Sequence, residues 1–371
     1  MVVEQLTYED NQVELLWRTC SEALNRENKP IILFGAGGIG QYYLEFLRQL
    51  ENVKEIYFCD NDPKKWGTQI NGIMVISFNQ LLADFRDSYI IITTLQYKEE
   101  IEKQLKENGL YSILSSPEHQ ILGDNLLHYL TYKKYRELIH QYQNEFEEVY
   151  NLLNDDFSKK LLIERLNYCI TLNSKYLTSM KSKSPQYFEP GIITLSENEV
   201  FIDGGGYVGD TVEEFVKQTN GKFNKIFTFE PETSKHQYFQ RYLSFPNIKL
   251  LPYGLYSRSG TFRFHANNDA TSGLGLEGEE EIQVITIDEV LEGEPVTFIK
   301  MDIEGAELEA LKGAEESIRK HKPKLAICVY HKPLDIVEIP LYLKTIVPEY
   351  QFYLRHYNYG ATETVCYAVC N

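Results

Sequence analysis

Two regions of the chain alternate short apolar runs with segments in which apolar residues recur every three or four positions. The first region, 29–118, contains apolar runs at 31–34, 56–59 and 89–92. The second region, 196–371, contains such runs at 200–202, 226–229, 248–251, 298–301, 325–330, 351–355 and 364–369. Strands that alternate with helices predict parallel sheets covered by helices. We therefore expect an α/β protein with two Rossmann-like, doubly wound domains.

Two other segments lack this alternation. Residues 1–28 carry an amphipathic stripe that predicts a leading helix, and residues 119–195 are polar, rich in tyrosine and without strand-like runs. We interpret 119–195 as a helical connector whose tyrosines favour packing, which makes it the candidate contact of a homodimer. Within the second region a polar stretch contains hairpin-like runs at 261–264 and 282–287. The predicted boundaries are 1–28, 29–118, 119–195 and 196–371.

Charge and cysteine usage narrow the class of protein. The 371 residues include 37 Lys and Arg against 54 Asp and Glu, a net charge of −17. Such an acidic chain is a poor binder of nucleic acid or anionic membranes. No apolar run approaches the roughly 20 residues that span a bilayer, and the N-terminus does not resemble a signal peptide. The six cysteines form no Cys-x-x-Cys pair, which favours buried, reduced thiols and a cytoplasmic location.

A glycine-rich loop follows the first strand of the second region. Glycines let the backbone approach a ligand closely, and the N-terminus of the following helix offers free N–H groups. Asp203 lies directly before these glycines, where a carboxylate repels a pyrophosphate but attracts the ammonium and sulfonium groups of S-adenosyl-L-methionine. The loop therefore predicts a methyltransferase. Its candidate cofactor-binding residues are Asp203, Gly204, Gly205, Gly206, Gly209 and Asp210.

Polar residues also follow three further strands, at the sheet edge where ligands of open α/β sheets bind. Glu230 and Pro231 end the second strand, and the Glu230 carboxylate is predicted to accept hydrogen bonds from both ribose hydroxyls of the cofactor. Asp302 ends the fourth strand, beside the expected sulfonium, and His331 follows the fifth. Each has a structural alternative, namely a helix N-terminal acid for Glu230 and a histidine bonded to backbone for His331.

The predicted chemistry needs alignment and a route for one proton. The methyl donor is already activated, so the enzyme mainly aligns it with the acceptor for in-line displacement. A hydroxyl acceptor must also lose its proton. Histidine titrates near neutrality, which makes His331 the first candidate base and Asp302 the second. A divalent metal would polarise the hydroxyl instead, with oxygen ligands from Asp302, Glu304 and Asp288, but no spacing demands one and we predict no metal.

Residues 199–333 resemble the FkbM-type methyltransferases. The matching elements are the loop 203–209, Phe229-Glu-Pro231, Thr286-Ile-Asp288 and the long motif 299–313. The resemblance implies an S-adenosyl-L-methionine-dependent O-methyltransferase that acts on sugar or polyketide hydroxyls, with a class I sheet that ends in an antiparallel hairpin. The chain departs from the family after the fifth strand, where many members carry an acid and this chain has Cys328-Val-Tyr-His331. The acceptor side is therefore expected to differ.

The first region carries a second glycine motif, formed by Gly35, Gly37 and Gly40, and Asp60 follows about 20 residues later as in a dinucleotide fingerprint. The runs 61–67 and 72–77 are similar to those of small Rossmann-like domains in sugar-modifying proteins. That resemblance implies a nucleotide or nucleotide-sugar site. A fold that binds nothing is the structural alternative.

Three functions follow from these patterns. The leading one is an O-methyltransferase whose acceptor is a hydroxyl-bearing small molecule, a sugar or a glycan precursor. The second is an NAD-linked oxidoreductase or a nucleotide-sugar-binding protein that uses the first region. The third is a non-catalytic assembly protein of glycan biosynthesis. Asp203, directly before the glycine loop 204–209, and the motif 299–313 favour the methyltransferase.

Overall fold

A computed structural model describes the chain at residues 2–7, 29–48, 55–94, 97–114, 135–171, 175–240, 242, 245–265, 273–275, 280–358 and 362–370. The chain divides into two compact units. The first comprises Thr7–Leu138 and Cys169–Asn173, and the second comprises Met1–Leu6, Ile139–Tyr168 and Ser174–Asn371. The predicted leading helix lies largely outside the described residues, and the short described part contains one turn of 3-10 helix, Val3–Gln5.

The first unit is built around a six-stranded sheet with strand order β3-β4-β2-β1-β5-β6. All neighbours are parallel except β3 and β4. Alternate residues of β1 enter two different cores, with Ile31 and Leu33 on one face and Ile32 and Phe34 on the other. Burial on both faces explains why this strand reads as a continuous apolar run. The elements are β1 (Ile31–Phe34), α1 (Gly38–Leu47), β2 (Ile56–Cys59), β3 (Gln69–Ile70), β4 (Ile73–Ile76), α2 (Phe78–Asp84), β5 (Tyr89–Ile92), α3 (Lys98–Glu107) and β6 (Ile113–Leu114).

The second unit contains a seven-stranded and a four-stranded sheet. Three helices come first, followed by strands and helices in a mixed order. They are α4 (Gln143–Leu152), α5 (Asp156–Thr171, of which the last residues fall in the first unit), α6 (Lys175–Thr178), β7 (Val200–Gly204), α7 (Asp210–Gln218), β8 (Lys225–Phe229), β9 (Ile248–Leu251), β10 (Gly254–Leu255), β11 (Gly260–His265), β12 (Gly273–Gly275), β13 (Glu280–Ile285), α8 (Ile287–Leu291), β14 (Phe298–Met301), α9 (Glu307–Lys312), α10 (Glu315–His321), β15 (Lys324–Cys328), α11 (Asp335–Ile346), β16 (Gln351–His356) and β17 (Thr364–Val369). A 3-10 helix, Thr233–Phe239, follows β8.

The seven-stranded sheet has the order β16-β17-β15-β14-β7-β8-β9. Its last strand, β17, runs antiparallel to both β15 and β16, which confirms the predicted closing hairpin. The chain leaves β7 toward β8 on one side and returns to β14 on the other, so the strand order reverses at β7. Ligands of open α/β sheets bind at such a reversal, beyond the carboxyl ends of the strands.

Stacked aromatic rings fix the helix that follows the glycine loop. Phe201 of β7 stacks on Phe215 of α7 with ring centroids 4.4 Å apart and on Phe298 of β14 at 4.9 Å. Both phenylalanines of the strands are fully buried. This packing holds the start of α7, and with it the end of the loop, against the sheet.

The four-stranded sheet has the order β10-β13-β11-β12 and contains the predicted hairpin, because β11 and β13 pair antiparallel. The second run was predicted to extend to 287 but ends at Ile285. Thr286 instead caps α8, since its hydroxyl accepts a hydrogen bond from the Glu289 N–H at 3.0 Å. Threonine with an acid three residues later is a helix-start pattern, which explains the difference.

The described part of the predicted connector contains the helices α4, α5 and α6 and then a non-helical stretch, 179–195. Most of it, Ile139–Tyr168 and the residues from Ser174 onward, belongs to the second unit. It covers the edge strand β16. The Asn154 N–H donates to the Phe352 carbonyl at 2.9 Å, and the Ser182 N–H donates to the His356 carbonyl at 2.7 Å. An ion pair joins Arg355 to Asp155 at 2.8 Å. Covering an edge strand satisfies its open hydrogen-bonding groups, which explains this placement.

Two further expectations concern thiols and membranes. The five cysteines in the described part of the chain are free, and four of them are buried, as predicted. Within the same residues we find no helix with the length and apolar character of a membrane span. The cytoplasmic location stays a prediction.

Glu199, just before β7, forms a buried ion pair that stabilises the sheet. It is 1 % exposed, and its two carboxylate oxygens lie 2.9 and 3.0 Å from the Lys324 ammonium. Burial alone would raise its pKa. Hydrogen bonds from Lys324, Thr297 and the Ser196 N–H outweigh burial and bring the pKa below the ordinary value of 4.5. The ionised carboxylate therefore stabilises the fold above pH 4.5, and this contribution is lost as the pH falls through the lower, folded-state pKa.

We expect Glu199→Gln to reduce the free energy of unfolding at pH 7 by about 1–3 kcal/mol, because a buried charge-assisted network loses its acceptor. The difference from the wild-type protein should shrink as the pH falls below 4.5. Thermal and urea unfolding between pH 3 and 8 would measure both effects. Glu197→Gln is the matched control, since the Glu197 side chain is 68 % exposed and its pair with Lys222 lies at the surface. Equal losses in the two variants would contradict this account.

Candidate active site

The glycine loop after β7 has a conformation that only glycine permits. Gly205 has φ +79°, and a Cβ atom there would lie 1.9 Å from the Asp302 carbonyl oxygen. A Cβ atom on Gly206 would lie 2.4 Å from the Thr228 hydroxyl. The N–H groups of both glycines donate to the Phe229 carbonyl, at 3.2 and 2.8 Å. The loop is thus pressed between the ends of β8 and β14, and Gly209 at φ +82° is the N-cap of α7.

Asp203 lies beneath this loop and has no exposed surface. One carboxylate oxygen lies 3.1 Å from the Lys300 ammonium, and the other accepts a hydrogen bond from the Thr228 hydroxyl at 2.9 Å. Asp203 is not among the residues that line the adjoining cleft. The predicted direct contact with the cofactor therefore needs correction, because the carboxylate is already paired inside the protein.

Lys300 is the residue that links Asp203 to the loop, and the sequence analysis did not identify it. Its side chain is 2 % exposed, and its ammonium donates to the carbonyls of Gly204 at 3.1 Å and Gly205 at 2.8 Å. It also lies 5.1 Å from the centre of the Tyr187 ring. The available signal was a lysine inside an apolar strand, two residues before Asp302, since a buried lysine needs an acidic partner.

A cleft of about 850 Å³ opens beside the loop, at the carboxyl ends of β7, β8 and β14. Its volume lies in the range of small-molecule and cofactor sites. Five residues predicted from the sequence line it, namely Gly205, Asp210, Glu230, Pro231 and Asp302. Predicted residues outside its lining are Asp203, Gly204, Gly206, Gly209 and His331. The lining also includes residues that the sequence analysis did not place there, among them Gln186, Tyr187, Tyr207, Lys235, Lys300, Glu304 and Glu363.

Glu230 is held rigidly at one side of the cleft. It is 5 % exposed, and its two carboxylate oxygens accept hydrogen bonds from the N–H groups of Tyr207 and Glu232, each at 2.8 Å. Burial raises its pKa, and these hydrogen bonds offset part of the rise. Each oxygen keeps a second lone pair, so the carboxylate can still accept hydrogen bonds from a ligand.

Asp302 lies on the other side of the loop, where two tyrosines hold it. The hydroxyls of Tyr187 and Tyr330 donate to its two carboxylate oxygens at 2.8 and 3.0 Å. Burial raises its pKa, but Lys300, His331 and the two hydroxyls lower it to a net value below the ordinary one. Asp302 is therefore an ionised group at neutral pH. Tyr187 reaches it from the segment that was predicted as a connector.

His331 lies within a group of three carboxylates. Its Nδ1 is 3.0 Å from Glu307, and its Nε2 is 3.4 Å from Asp302 and 3.5 Å from Glu304. Burial lowers the pKa of the imidazole, but Glu307, Asp302 and Glu304 raise it more, to about 9. An imidazole that already carries a proton at pH 7 is a poor general base. His331 lies among acids and outside the lining of the cleft, and its role as the base stays a prediction.

The glycine motif of the first unit has its own intramolecular contacts. A Cβ atom on Gly40 would lie 2.2 Å from the Gly35 carbonyl oxygen, so close packing alone requires that glycine. One Asp60 oxygen accepts from the Ala36 N–H and from the Lys65 ammonium, each at 2.9 Å. Asp60 thus occupies one of the loop N–H groups that a phosphate would need. The nucleotide site at Gly35, Gly37, Gly40 and Asp60 stays a prediction.

Comparison with known families gives a separate match for each of the two α/β regions of the chain. Residues 203–359 match the family described as Methyltransferase FkbM domain. The chain contains a methyltransferase domain of the FkbM type. Its cofactor is S-adenosyl-L-methionine. Residues 27–113 match a different family, described as C2185-like, N-terminal. This second description does not name a sugar-modifying protein, so that part of the predicted resemblance is not confirmed.

Solved structures were also compared with the chain. A methyltransferase FkbM from Methylobacillus flagellatus KT is 23% identical, with a TM-score of 0.61, and the match covers 97% of this chain and 100% of that one. This likeness shows a common fold. Fibrillarin from Aeropyrum pernix, solved with natively bound S-adenosyl-L-methionine, is 12% identical with a TM-score of 0.32, over 48% of this chain and 70% of that one. A likeness this low supports no conclusion. None of the curated proteins compared with the chain matches it.

The Asp203–Lys300 pair predicts how the two residues support the methyltransferase loop. Asp203→Asn leaves a buried ammonium without its counter-charge and should destabilise the protein by about 3–5 kcal/mol. The loop carbonyls then lose a fixed donor, and we expect S-adenosyl-L-methionine binding to weaken about tenfold or more. The double variant Asp203→Asn/Lys300→Met should regain stability relative to Asp203→Asn.

Calorimetric titration with S-adenosyl-L-methionine and thermal unfolding of both single variants and the double variant would complete the cycle. If Asp203 acts through Lys300, the double variant binds the cofactor about as weakly as Lys300→Met alone. Losses of affinity that add in the double variant would mean that Asp203 contacts the cofactor independently.

Proposed function

We propose that the second unit transfers the methyl group of S-adenosyl-L-methionine to a hydroxyl of a sugar or glycan precursor. The observation that carries the proposal is the placement of two carboxylates, Glu230 and Asp302, in the lining of one cleft on either side of the glycine loop. One acid faces the expected nucleoside end of the cofactor, and the other faces its cationic end.

The cofactor fits the chemistry of this cleft. S-adenosyl-L-methionine carries a sulfonium and an ammonium, and several acids line the cleft, including Glu230, Asp302, Glu304 and Glu363. Glu230 would accept hydrogen bonds from the two ribose hydroxyls with the lone pairs that Tyr207 and Glu232 leave free. Glycines of the loop allow the cofactor to approach the backbone closely. The negative potential of Asp302 favours the sulfonium beside it.

The acceptor side is polar and aromatic, which suits a molecule rich in hydroxyls. Tyr187, Gln186 and Glu363 line this part of the cleft, and Gln186 donates a hydrogen bond to Glu363. Transfer would join the acceptor oxygen to the methyl carbon as the methyl–sulfur bond breaks, the hydroxyl proton would pass to solvent, and S-adenosylhomocysteine would leave. Alignment of the two reactants supplies up to about 7–11 kcal/mol in favourable cases. Asp302 is the candidate that would orient the acceptor hydroxyl.

The alternatives that use the first unit are less well supported. An oxidoreductase or a nucleotide-sugar-binding protein would need Asp60 and the loop N–H groups to face a ligand, and Asp60 bonds to Ala36, Asp62 and Lys65 instead. Nucleotide-sugar binding there and homodimer formation through the connector stay predictions.

Glu230→Gln provides the direct test of the cofactor site. The substitution keeps the shape of the side chain but removes its charge and one set of acceptor lone pairs. We expect the dissociation constant of S-adenosyl-L-methionine to rise about 10–100-fold, because a charged hydrogen-bond acceptor contributes roughly 1.5–3 kcal/mol. Glu294→Gln is the matched control, since that glutamate is half exposed, pairs with Lys225 and lies outside the cleft.

Activity would be measured as S-adenosylhomocysteine formed with a panel of free sugars, nucleotide-sugars and glycosides. A methylated hydroxyl in the product, with loss of turnover in Glu230→Gln and not in Glu294→Gln, is the expected result. Cofactor binding that is the same in the two variants would refute the proposed site. Methylation confined to nitrogen or carbon atoms would refute O-methylation.

A further inference from the structure

The turn after β14 and the residue after β15 form a second chemical feature at the edge of the cleft. Asp302, Glu304 and Glu307 surround the imidazole of His331 at 3.0–3.5 Å. Asp302 and Glu304 line the cleft, whereas Glu307 lies behind them with no exposed surface. One ligand atom from each of Asp302, Glu307 and His331 lies within 4.8 Å of the other two.

One buried carboxylate oxygen of this cluster has no hydrogen-bond partner among the residues that the structure describes. It is the Oε2 atom of Glu307, whereas the other Glu307 oxygen lies 3.0 Å from the Nδ1 atom of His331. The other Glu307 oxygen accepts from the Ile303 N–H at 2.8 Å, so the carboxylate is held in place. A buried carboxylate oxygen without a hydrogen-bond partner lowers the stability of the fold. Such an atom therefore indicates a bound group that would pair with it.

The charge of the surroundings increases this cost. Burial and the nearby Glu307 raise the pKa of Asp335 to about 7, and burial and the nearby Asp302 raise the pKa of Glu363. The nearby Lys300 ammonium is already paired with Asp203 at 3.1 Å. Lys332 lowers the pKa of Asp335 and Lys235 lowers that of Glu304, but burial and the neighbouring acids keep both values raised, at about 7.

We propose that Asp302, Glu307 and His331 bind a divalent cation, with Glu304 as a fourth donor from the side of the cleft. Ligand atoms about 2.1 Å from one metal ion lie roughly 3.0–3.4 Å from each other. One imidazole offers a single nitrogen to an ion. The Nε2 atom of His331 lies 3.4 and 3.5 Å from Asp302 and Glu304, near this range, whereas Glu307 lies 3.0 Å from the other nitrogen, Nδ1. One ligand atom from each of Asp302, Glu307 and His331 lies within 4.8 Å of the other two. Carboxylates with a single imidazole favour Mn²⁺ or a similar first-row ion over Ca²⁺.

The position of the cation gives it a role in methyl transfer, and this part of the inference rests on the proposed function. Asp302 and Glu304 line the cleft, so the ion would face the acceptor hydroxyl and lower its pKa. The acceptor oxygen would then bond to the methyl carbon as the methyl–sulfur bond breaks, and the hydroxyl proton would pass to solvent.

The first experiment measures the binding of Mn²⁺ in the absence of cofactor and acceptor. Protein freed of metal with a chelator would be titrated with Mn²⁺ by calorimetry. We expect about one ion per chain, with affinity lowered at least about tenfold in His331→Gln and in Glu307→Gln. His321→Gln is the matched control, because His321 immediately precedes the loop into β15, at the opposite end of that strand from His331. Absence of stoichiometric binding, or unchanged affinity in His331→Gln, would overturn the site and leave a protonated imidazole as the group that balances the acids.

A measurement on the unsubstituted protein protects the test against variants that fail to fold. Pulsed electron paramagnetic resonance of bound Mn²⁺ should reveal coupling to one imidazole nitrogen. Binding without nitrogen coupling would overturn the assignment of His331.

The catalytic role is tested separately from the proposed function. Cofactor affinity should change less than about threefold on removal of Mn²⁺, whereas methyl transfer should fall at least 100-fold and recover when Mn²⁺ returns. Full activity of metal-free protein would overturn the role of the cation but not O-methylation. Cofactor and Mn²⁺ binding without transfer to any hydroxyl acceptor would overturn the proposed function but not the metal site.

Discussion

The buried pair of Asp203 and Lys300 is the interaction on which the site depends. Both side chains are almost completely removed from water, at 0 and 2 % exposure. The lysine also holds the carbonyls of two loop glycines, so one residue of β14 sets the path of the loop after β7. A buried pair of this kind contributes little net stability but strongly penalises any arrangement that separates its members. It therefore specifies one geometry for the loop.

The same sheet edge concentrates acids that the loop does not neutralise. Asp302 and Glu230 face the cleft, and Glu307 is buried behind it. A cationic cofactor would relieve part of this charge. Glu307 has no exposed surface and faces His331 at 3.0 Å instead of the cleft. The site thus has a cofactor side and a separate acidic cluster that meet at Asp302.

The segment before β7 has two structural roles in the second unit. It covers β16 with backbone hydrogen bonds, which protects an edge strand. It also brings Tyr187 to the cleft, where its hydroxyl donates to Asp302 at 2.8 Å. Tyr187 has φ +70°, a conformation that a bulky residue adopts only when its surroundings enforce it. The segment predicted as a connector therefore also lines the cleft, through Tyr187.

The sequence by itself determined the strands, their alternation with helices and the glycine loop, because apolar periodicity and glycine conformation act within a few residues of chain. It also led to Glu230 and Asp302, which line the cleft, since residues that end parallel strands lie at the ligand edge of the sheet. Tertiary structure decided what surrounds the predicted residues. Asp203 is buried against Lys300 of another strand, and Asp302, Glu304 and Glu307 converge on His331. Such pairings depend on strand order and burial, which no local pattern records.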